Sequence, residues 1–369
     1  MSSSRLQTKD QITTSQAAVM IINYMLGAGI LTLPRTTVEA AKTPDVWISI
    51  LISGMIIMLV GFIVVRLARR FQGKTFFQFV PEITGKWVAF LLSLLVIAYL
   101  ITISAFEIRV MAEVTGLYLL EGTPVWIIVM TFMWIGLYLT TGGINCIARL
   151  YEIILPITLL FFIIAILLSS SIFDIKNLRP VLGSGIMPVL QGIKPSLLSF
   201  TGYEIMFVAM AFMKSPKKGT KAMIVGITVP MLIYLITVIM VIGGLSIHGV
   251  QKRTWPTLDL MRSFEMQGLI FERFESLLLV IWIMQIFSTF TVAHYAASLG
   301  LSQLMKKNIH PFLFIMLPVI FLLAMIPKDV SETFKLGDTV GYMSIYLFGG
   351  LPLILLLISK VRKKGVKPK

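Results

Sequence analysis

The sequence predicts an all-α polytopic membrane protein of about ten spans, in a single transmembrane domain over residues 1–369. Three observations carry this. Of the 369 residues 57% are hydrophobic and only 13% charged, against roughly 45–50% and 25% in soluble domains. Mean hydropathy is +0.91. The apolar runs are long and unbroken, as in Trp47–Val65 and Val88–Ala105, and about 20 such residues cross a ~30 Å hydrocarbon core. A soluble domain and a disordered chain are excluded. A membrane β-barrel, whose strands alternate polar and apolar residues, does not fit.

Taken in order, the apolar runs place spans at about 14–38, 46–67, 87–111, 124–141, 146–169, 188–213, 222–247, 274–299, 311–326 and 341–359. The polar N-terminus, Met1–Thr13, leads directly into the first span, and no cleavable leader is expected. An even number of spans puts both termini on one side. The net charge of +15 is concentrated in clusters such as Arg66/Arg69/Arg70/Lys74, Lys214/Lys217/Lys218/Lys221 and the tail from Lys360 to Lys369. Basic loops are retained on the cytoplasmic face, so both termini are expected there. The same clusters suit anionic lipid and argue against a nucleic-acid partner. The segment His248–Arg273 is the largest external loop and a cap at most. One cysteine and three scattered histidines supply no disulfide framework and no zinc or iron–sulfur ligand set, and no cofactor is expected.

Two spans carry unusual glycines. The first contains Gly27-Ala28-Gly29-Ile30, and the sixth contains Phe200-Thr201-Gly202-Tyr203-Glu204. Glycine is a poor helix former and exposes backbone. The two sites lie close to half a chain length apart, and each opens a set of five spans, about 14–169 and 188–359. Interrupted spans at matching positions point to an inverted-repeat transporter architecture with a midplane site; five being odd, the second half runs opposite to the first. Gly337, Gly341, Gly349 and Gly350 read as helix packing.

At these residues the chain resembles the amino acid–polyamine–organocation superfamily. More narrowly, it resembles the spore germination permease family, the B subunits of nutrient germinant receptors. Gly27-Ala28-Gly29-Ile30-Leu31-Thr32-Leu33-Pro34, Gly85-Lys86-Trp87 and Thr123-Pro124 carry the resemblance. So do Gly143-Ile144 with Ala148-Arg149 and Glu152-Ile153, Gly202-Tyr203-Glu204, Trp255-Pro256-Thr257 and Glu272-Arg273-Phe274-Glu275. The resemblance implies a LeuT-type five-plus-five inverted repeat with broken helices one and six. It also implies a spore inner-membrane location, a small nutrient ligand and other receptor subunits as partners in a hetero-oligomeric complex.

A helix broken at Gly27–Gly29 presents unpaired amides suited to an α-carboxylate. Carbonyls near Phe200 and Thr201 suit an ammonium group, so the pair describes a receptor for an L-amino acid. By resemblance, the third, eighth and tenth spans complete the pocket, with Tyr99, Ile103, Phe287 and Thr291 as candidates. No charged pocket residue stands out, which favours small or apolar amino acids. Glu204 sits near mid-membrane, where a carboxyl is a functional hypothesis in its own right; proton carrier, hydrogen-bond acceptor and pin of the broken helix all remain open. Arg149 and Glu152 are spaced for a structural pair, and Glu107 and Arg109 are expected to snorkel at the outer end of the third span. His294 reads as a packed histidine. Ser288 and Thr289 are expected to bond carbonyls of their own helix rather than hold sodium.

Proton-coupled relatives of this fold carry a lysine in the fifth span, and none occurs between Ile153 and Leu168. The expectation is therefore a sensor that signals to partners, with a proton- or sodium-coupled amino acid permease as the alternative. No nucleophile–base constellation or phosphate-binding loop is present, so no enzyme is expected.

Overall fold

The computed structural model describes residues 10–263 and 274–365; the extreme N-terminus, the Glu272–Arg273 part of the eighth-span motif and the last tail lysines lie outside the described residues. The helices, in chain order, are α1 (Thr14–Leu26), α2 (Gly29–Ala41), α3 (Val46–Ala68), α4 (Phe76–Thr84), α5 (Lys86–Tyr118), α6 (Val125–Thr141) and α7 (Gly143–Ser169). They continue with α8 (Met187–Ser199), α9 (Met206–Ala209), α10 (Gly219–Gln251), α11 (Pro256–Arg262), α12 (Phe274–Met305), α13 (His310–Met325), α14 (Val330–Ser344) and α15 (Leu351–Val361). Among the described residues, six stretches are single helices long and apolar enough to span a membrane. α1 with α2 forms one bent span, α8 with the turn at Tyr203–Phe212 a second, and α6 and α13 are shorter apolar helices. Together they match the ten expected spans.

The ends differ from expectation in informative ways. α5 runs to Tyr118 and the last span begins at Val330, because moderately polar turns at these ends are held by packing that hydropathy does not register. α4 and α11 lie between spans. A Thr75–Gln78 capping box starts α4, which buries Phe76, Phe77, Phe79, Val80 and Ile83; reciprocal bonds of this kind satisfy two otherwise orphaned amides. Thr13 and Gln16 open α1 in the same way.

α12 forms the centre, with most of its apolar stretch enclosed by protein, and it packs along α5, α7 and α1. α3 packs on α8 through small hydroxyls: Ser49 Oγ donates to the Val189 carbonyl (2.7 Å) and Ser53 Oγ to that of Ile193 (3.2 Å). Small residues that let backbones approach are a common way for helices to associate where lipid removes the hydrophobic driving force. The outer surface is strongly apolar, with Trp87, Leu91, Trp134, Ile135 and Tyr138 exposed, as a bilayer-facing surface requires.

Both ends of the described chain lie at one end of the bundle. Ile12 pairs in parallel with Met213, its N–H donating to the Phe212 carbonyl (2.9 Å) and its carbonyl accepting from Lys214 (2.9 Å). Arg70, just past α3, donates to the Lys364 carbonyl (2.8 Å). Gly349 and Gly350, expected to pack helices, instead sit in a π-helical stretch, Ile345–Gly350, where an added Cβ would meet nothing closer than 3.9 Å. Gly341 does pack closely, against Leu198.

Candidate functional site

The chain bends by 50° between α1 and α2 and by 41° between α8 and the turn at Tyr203–Phe212. The two breaks touch. A Cβ added to Gly202, whose φ is +131°, would lie 2.7 Å from Tyr24 Cδ1 and 3.1 Å from the Met25 amide. Glycine is required there for both reasons, since that φ is accessible only without a side chain.

Breaking a helix orphans backbone groups that lipid cannot satisfy, and side chains from three other helices meet them. On α5, Glu107 Oε2 accepts the Ala28 N–H at 2.9 Å. On α12, Thr289 Oγ1 donates to the Tyr24 carbonyl at 2.8 Å. On α10, the Tyr234 hydroxyl donates to the Met25 carbonyl and lies 3.2 Å from that of Ser199, bridging the breaks. In the second break the Glu204 carboxylate folds back to accept the Gly202 N–H (2.8 Å) and the Tyr99 hydroxyl. Thr257 Oγ1 donates to the Ile30 carbonyl (3.0 Å), so the Trp255-Pro256-Thr257 loop fastens α11 onto α2.

A cavity of about 60 Å³ lies between the breaks, large enough for several water molecules or a small polar ligand. Its inner wall is Tyr24, Met25, Gly29, Ile103, Glu107, Ser199 and Thr201. Thr32, Thr36, Phe106, Phe334, Gly337 and Asp338 lead toward the end of the bundle opposite the described chain ends. Among the described residues, the lining holds two carboxylates and no lysine or arginine. The Tyr24 hydroxyl is buried and has no hydrogen-bond partner among the described residues. Near the mouth, the Arg35 guanidinium lies over the Phe334 ring at 5.1 Å, and Phe334 packs on Trp255.

Of the residues singled out in the sequence, Gly29, Ile103 and Thr201 line this cavity. Gly27 and Ala28 form the floor of the first break, where a Cβ on Gly27 would stand 2.7 Å from Glu107 Oε2. Ile30 is buried behind them. Phe200 packs edge-on against Tyr234. Tyr99, Tyr203 and Glu204 are buried behind the second break rather than in the cavity wall. Phe287 belongs to the apolar core, and Thr291 bonds Tyr151 on α7; neither lines the cavity.

Glu107 and Arg109 do not snorkel: they are 5% and 4% exposed. Arg109 pairs with Glu113 at 2.7 Å and Glu107 enters the break. The reading failed because α5 continues through Tyr118, which sets Glu107 about 16 Å from the helix end at ~1.5 Å per residue. Glu152 accepts from the Gln16 amide (3.1 Å), and no Arg149–Glu152 ion pair forms among the described residues. His294 is packed, stacked on Phe290 and within 2.9 Å of the Leu313 carbonyl. Ser288 Oγ bonds the Met284 carbonyl of its own helix, whereas Thr289 reaches across to α1. A tyrosine on α10 bridging both breaks had no counterpart in the sequence reading; its mid-span position four residues after Pro230 was the available signal.

The fold is similar to that of two solved structures. MhsT, in complex with L-phenylalanine, superposes with a TM-score of 0.73 at 12% identity, covering 93% of this chain and 88% of that one. Mhp1, a nucleobase-cation-symport-1 family transporter in a closed conformation with bromovinylhydantoin bound, superposes at 0.64 and 14% identity, covering 97% and 80%. In sequence, the chain is 54% identical to spore germination protein YndE of Bacillus subtilis over 357 residues, 97% of this chain and 98% of that one. It is 36% identical to spore germination protein A2 of the same organism, covering 98% and 99%. Residues 11–333 match the spore germination protein family. With the helix breaks of a LeuT-type transporter and these relatives end to end, the chain is a multi-pass membrane protein that belongs to the spore germination permease family.

Proposed function

We propose that this chain is the membrane subunit of a spore nutrient germinant receptor, which binds a small L-amino acid between the two helix breaks and signals to partner subunits. The observation that carries the reading is Glu107, a buried carboxylate that holds the Ala28 amide and also faces the cavity. The anion position at the first break is thus filled by the protein itself. A nutrient ammonium is recognised by Glu107 with the Ser199 and Thr201 region. Its carboxylate is met by the first-turn amides of α2, whose N-cap Ala28 provides no side-chain bond. The small cavity suits a short side chain, and a fold neighbour solved in complex with L-phenylalanine supports an amino acid as the ligand.

Signalling follows from the sharing of one carboxylate: with Glu107 Oε2 on the Ala28 amide, an ammonium held by Oε1 couples the nutrient to the angle between α1 and α2. A ~100-fold preference of the nutrient for one arrangement supplies about 2.7 kcal/mol, enough to raise an arrangement populated at about 10% to about 92%. The basic clusters at the end bearing both chain ends favour a cytoplasmic location for them, so the cavity mouth faces outward in the spore inner membrane. The test is calorimetric binding of an amino acid panel to the purified chain. Saturable binding of a small L-amino acid, weakened by Glu107→Gln and by a deaminated ligand, supports the reading; binding indifferent to both refutes it.

A further inference from the structure

At the end of the bundle bearing the chain ends, a groove of about 400 Å³ opens between α3 and α10, lined by Phe62, Arg66, Arg69 and Thr220. Its charges are unbalanced. Neither arginine forms an ion pair among the described residues, and Arg69 Nε is buried without a protein partner among them. The start of α10 closes one wall: a Cβ on Gly219 would lie 3.4 Å from Val65 Cγ1. That helix start has no side-chain cap and follows Lys217 and Lys218. Two guanidinium forks beside a helix start, whose dipole favours negative charge, form a phosphate-binding arrangement.

The groove continues into an apolar track. Met55, Leu59 and Phe62 stand on the same face of α3 as Arg66, at successive four- and three-residue spacings, and are 58%, 65% and 37% exposed. From Met55 to Arg66 the track is about 16 Å long at ~1.5 Å per residue, roughly half the hydrocarbon core. Ile224 and Leu232 on α10 are also exposed. A free phosphate has no use for such a track, and an acidic protein segment would not extend into hydrocarbon.

We propose that this groove is a specific site for an anionic diacyl phospholipid, whose phosphodiester sits between Arg66, Arg69 and the start of α10 while one acyl chain lies along Phe62, Leu59 and Met55. The lipid then clamps the start of α10, the helix whose Tyr234 bridges the two breaks, to α3. The site is separate from the nutrient cavity and does not depend on its assignment.

The experiment places the full chain in phosphatidylcholine nanodiscs and adds phosphatidylglycerol stepwise, reading thermal unfolding and retained lipid by native mass spectrometry. The wild type is expected to show a saturable rise in Tm and a retained phosphatidylglycerol. Apparent affinity falls about fivefold for each arginine replaced, since a basic residue at an anionic surface contributes about 1 kcal/mol, and Arg66→Gln/Arg69→Gln shows no retained lipid. Lys328→Gln, at the opposite end, behaves as wild type. If the double variant fails to fold, Arg66→Gln alone, on an exposed side chain, still gives the fivefold loss. Inorganic phosphate and the soluble glycerophosphoglycerol headgroup are run in parallel; protection by either equal to that by the lipid would overturn the proposal in favour of a free-anion site. Unchanged phosphatidylglycerol protection in the arginine variants would overturn it outright.

Discussion

Gly27→Ala is the smallest change that separates the working of the first break from its mere presence. The added methyl would stand 2.7 Å from Glu107 Oε2 and collide with Thr289 Oγ1. Ordinary contact begins near 3.4 Å, so the carboxylate must retreat by about 0.7 Å. Its bond to the Ala28 amide, 2.9 Å long, then stretches to at most about 3.6 Å and weakens. Leaving a buried amide without its partner costs about 1–3 kcal/mol, or roughly 5- to 150-fold in an equilibrium constant. The assay is calorimetric Kd for the nutrient on wild-type and variant protein, with Tm recorded on each. Gly116→Ala is the control on the same helix as Glu107. Its Cβ would meet only Ile128 Cδ1, at 3.7 Å, and helix propensity favours alanine by about 1 kcal/mol. At least fivefold weaker binding is expected in Gly27→Ala, and equal or higher Tm in Gly116→Ala with unchanged Kd. A Gly27→Ala protein that binds like wild type would refute the role given to the Glu107–Ala28 bond.

Other expectations concern the second break, the closed end and the topology. Glu204→Ala leaves the Gly202 amide and the Tyr99 hydroxyl without their acceptor, a loss of about 1–3 kcal/mol for each; Tm should fall well below that of Glu204→Gln, and equal Tm values would remove Glu204 as the pin of the break. Burial pushes the Asp10 carboxyl above its ordinary value of 3.8, partly offset by the Asn145 backbone. The docked N-terminal segment therefore holds its proton more tightly than the undocked one. Docking is strongest below pH 3.8 and weakens as pH rises through the docked-state pKa. Exchange protection of the Ile12 and Lys214 amides, corrected for intrinsic rates, should fall with pH in the wild type and stay flat in Asp10→Asn; identical profiles would contradict this. In a Cys146→Ser background, single cysteines replacing Lys217 and Lys364 should label from the cytoplasmic side and one replacing Lys252 from the other; labelling of 217 and 252 from one side would refute the orientation.

The span count, both breaks and the family were legible because each is written in local pattern: unbroken apolar runs, Gly27 and Gly29, Gly202, and the motifs around them. What the sequence hid was long-range. Nothing near Gly27 says that its Cβ space belongs to a carboxylate on α5, or that Thr289 and Tyr234 bond the carbonyls before it. Glu107 was visible as a charge but misplaced by the assumed end of its helix. Likewise, Phe287 and Thr291 sit on a buried central helix whose cavity-facing side hydropathy cannot reveal, since protein encloses most of its apolar stretch. Asp338 and Gly337 reach the cavity from a helix that begins eleven residues before the apolar run suggests, in a segment whose lysine, glutamate and aspartate residues mask its helical start.

The sensor reading is tested most directly by measuring binding and uptake of one radiolabelled nutrient on the same liposomes, with the chain reconstituted alone. The missing fifth-span lysine and the self-filled first break lead the account to expect saturable binding with a Gly27-dependent Kd, and no accumulation above the lumenal equilibrium when a proton or sodium gradient is imposed. Gradient-driven accumulation abolished by Gly27→Val would contradict it and make the chain a coupled permease.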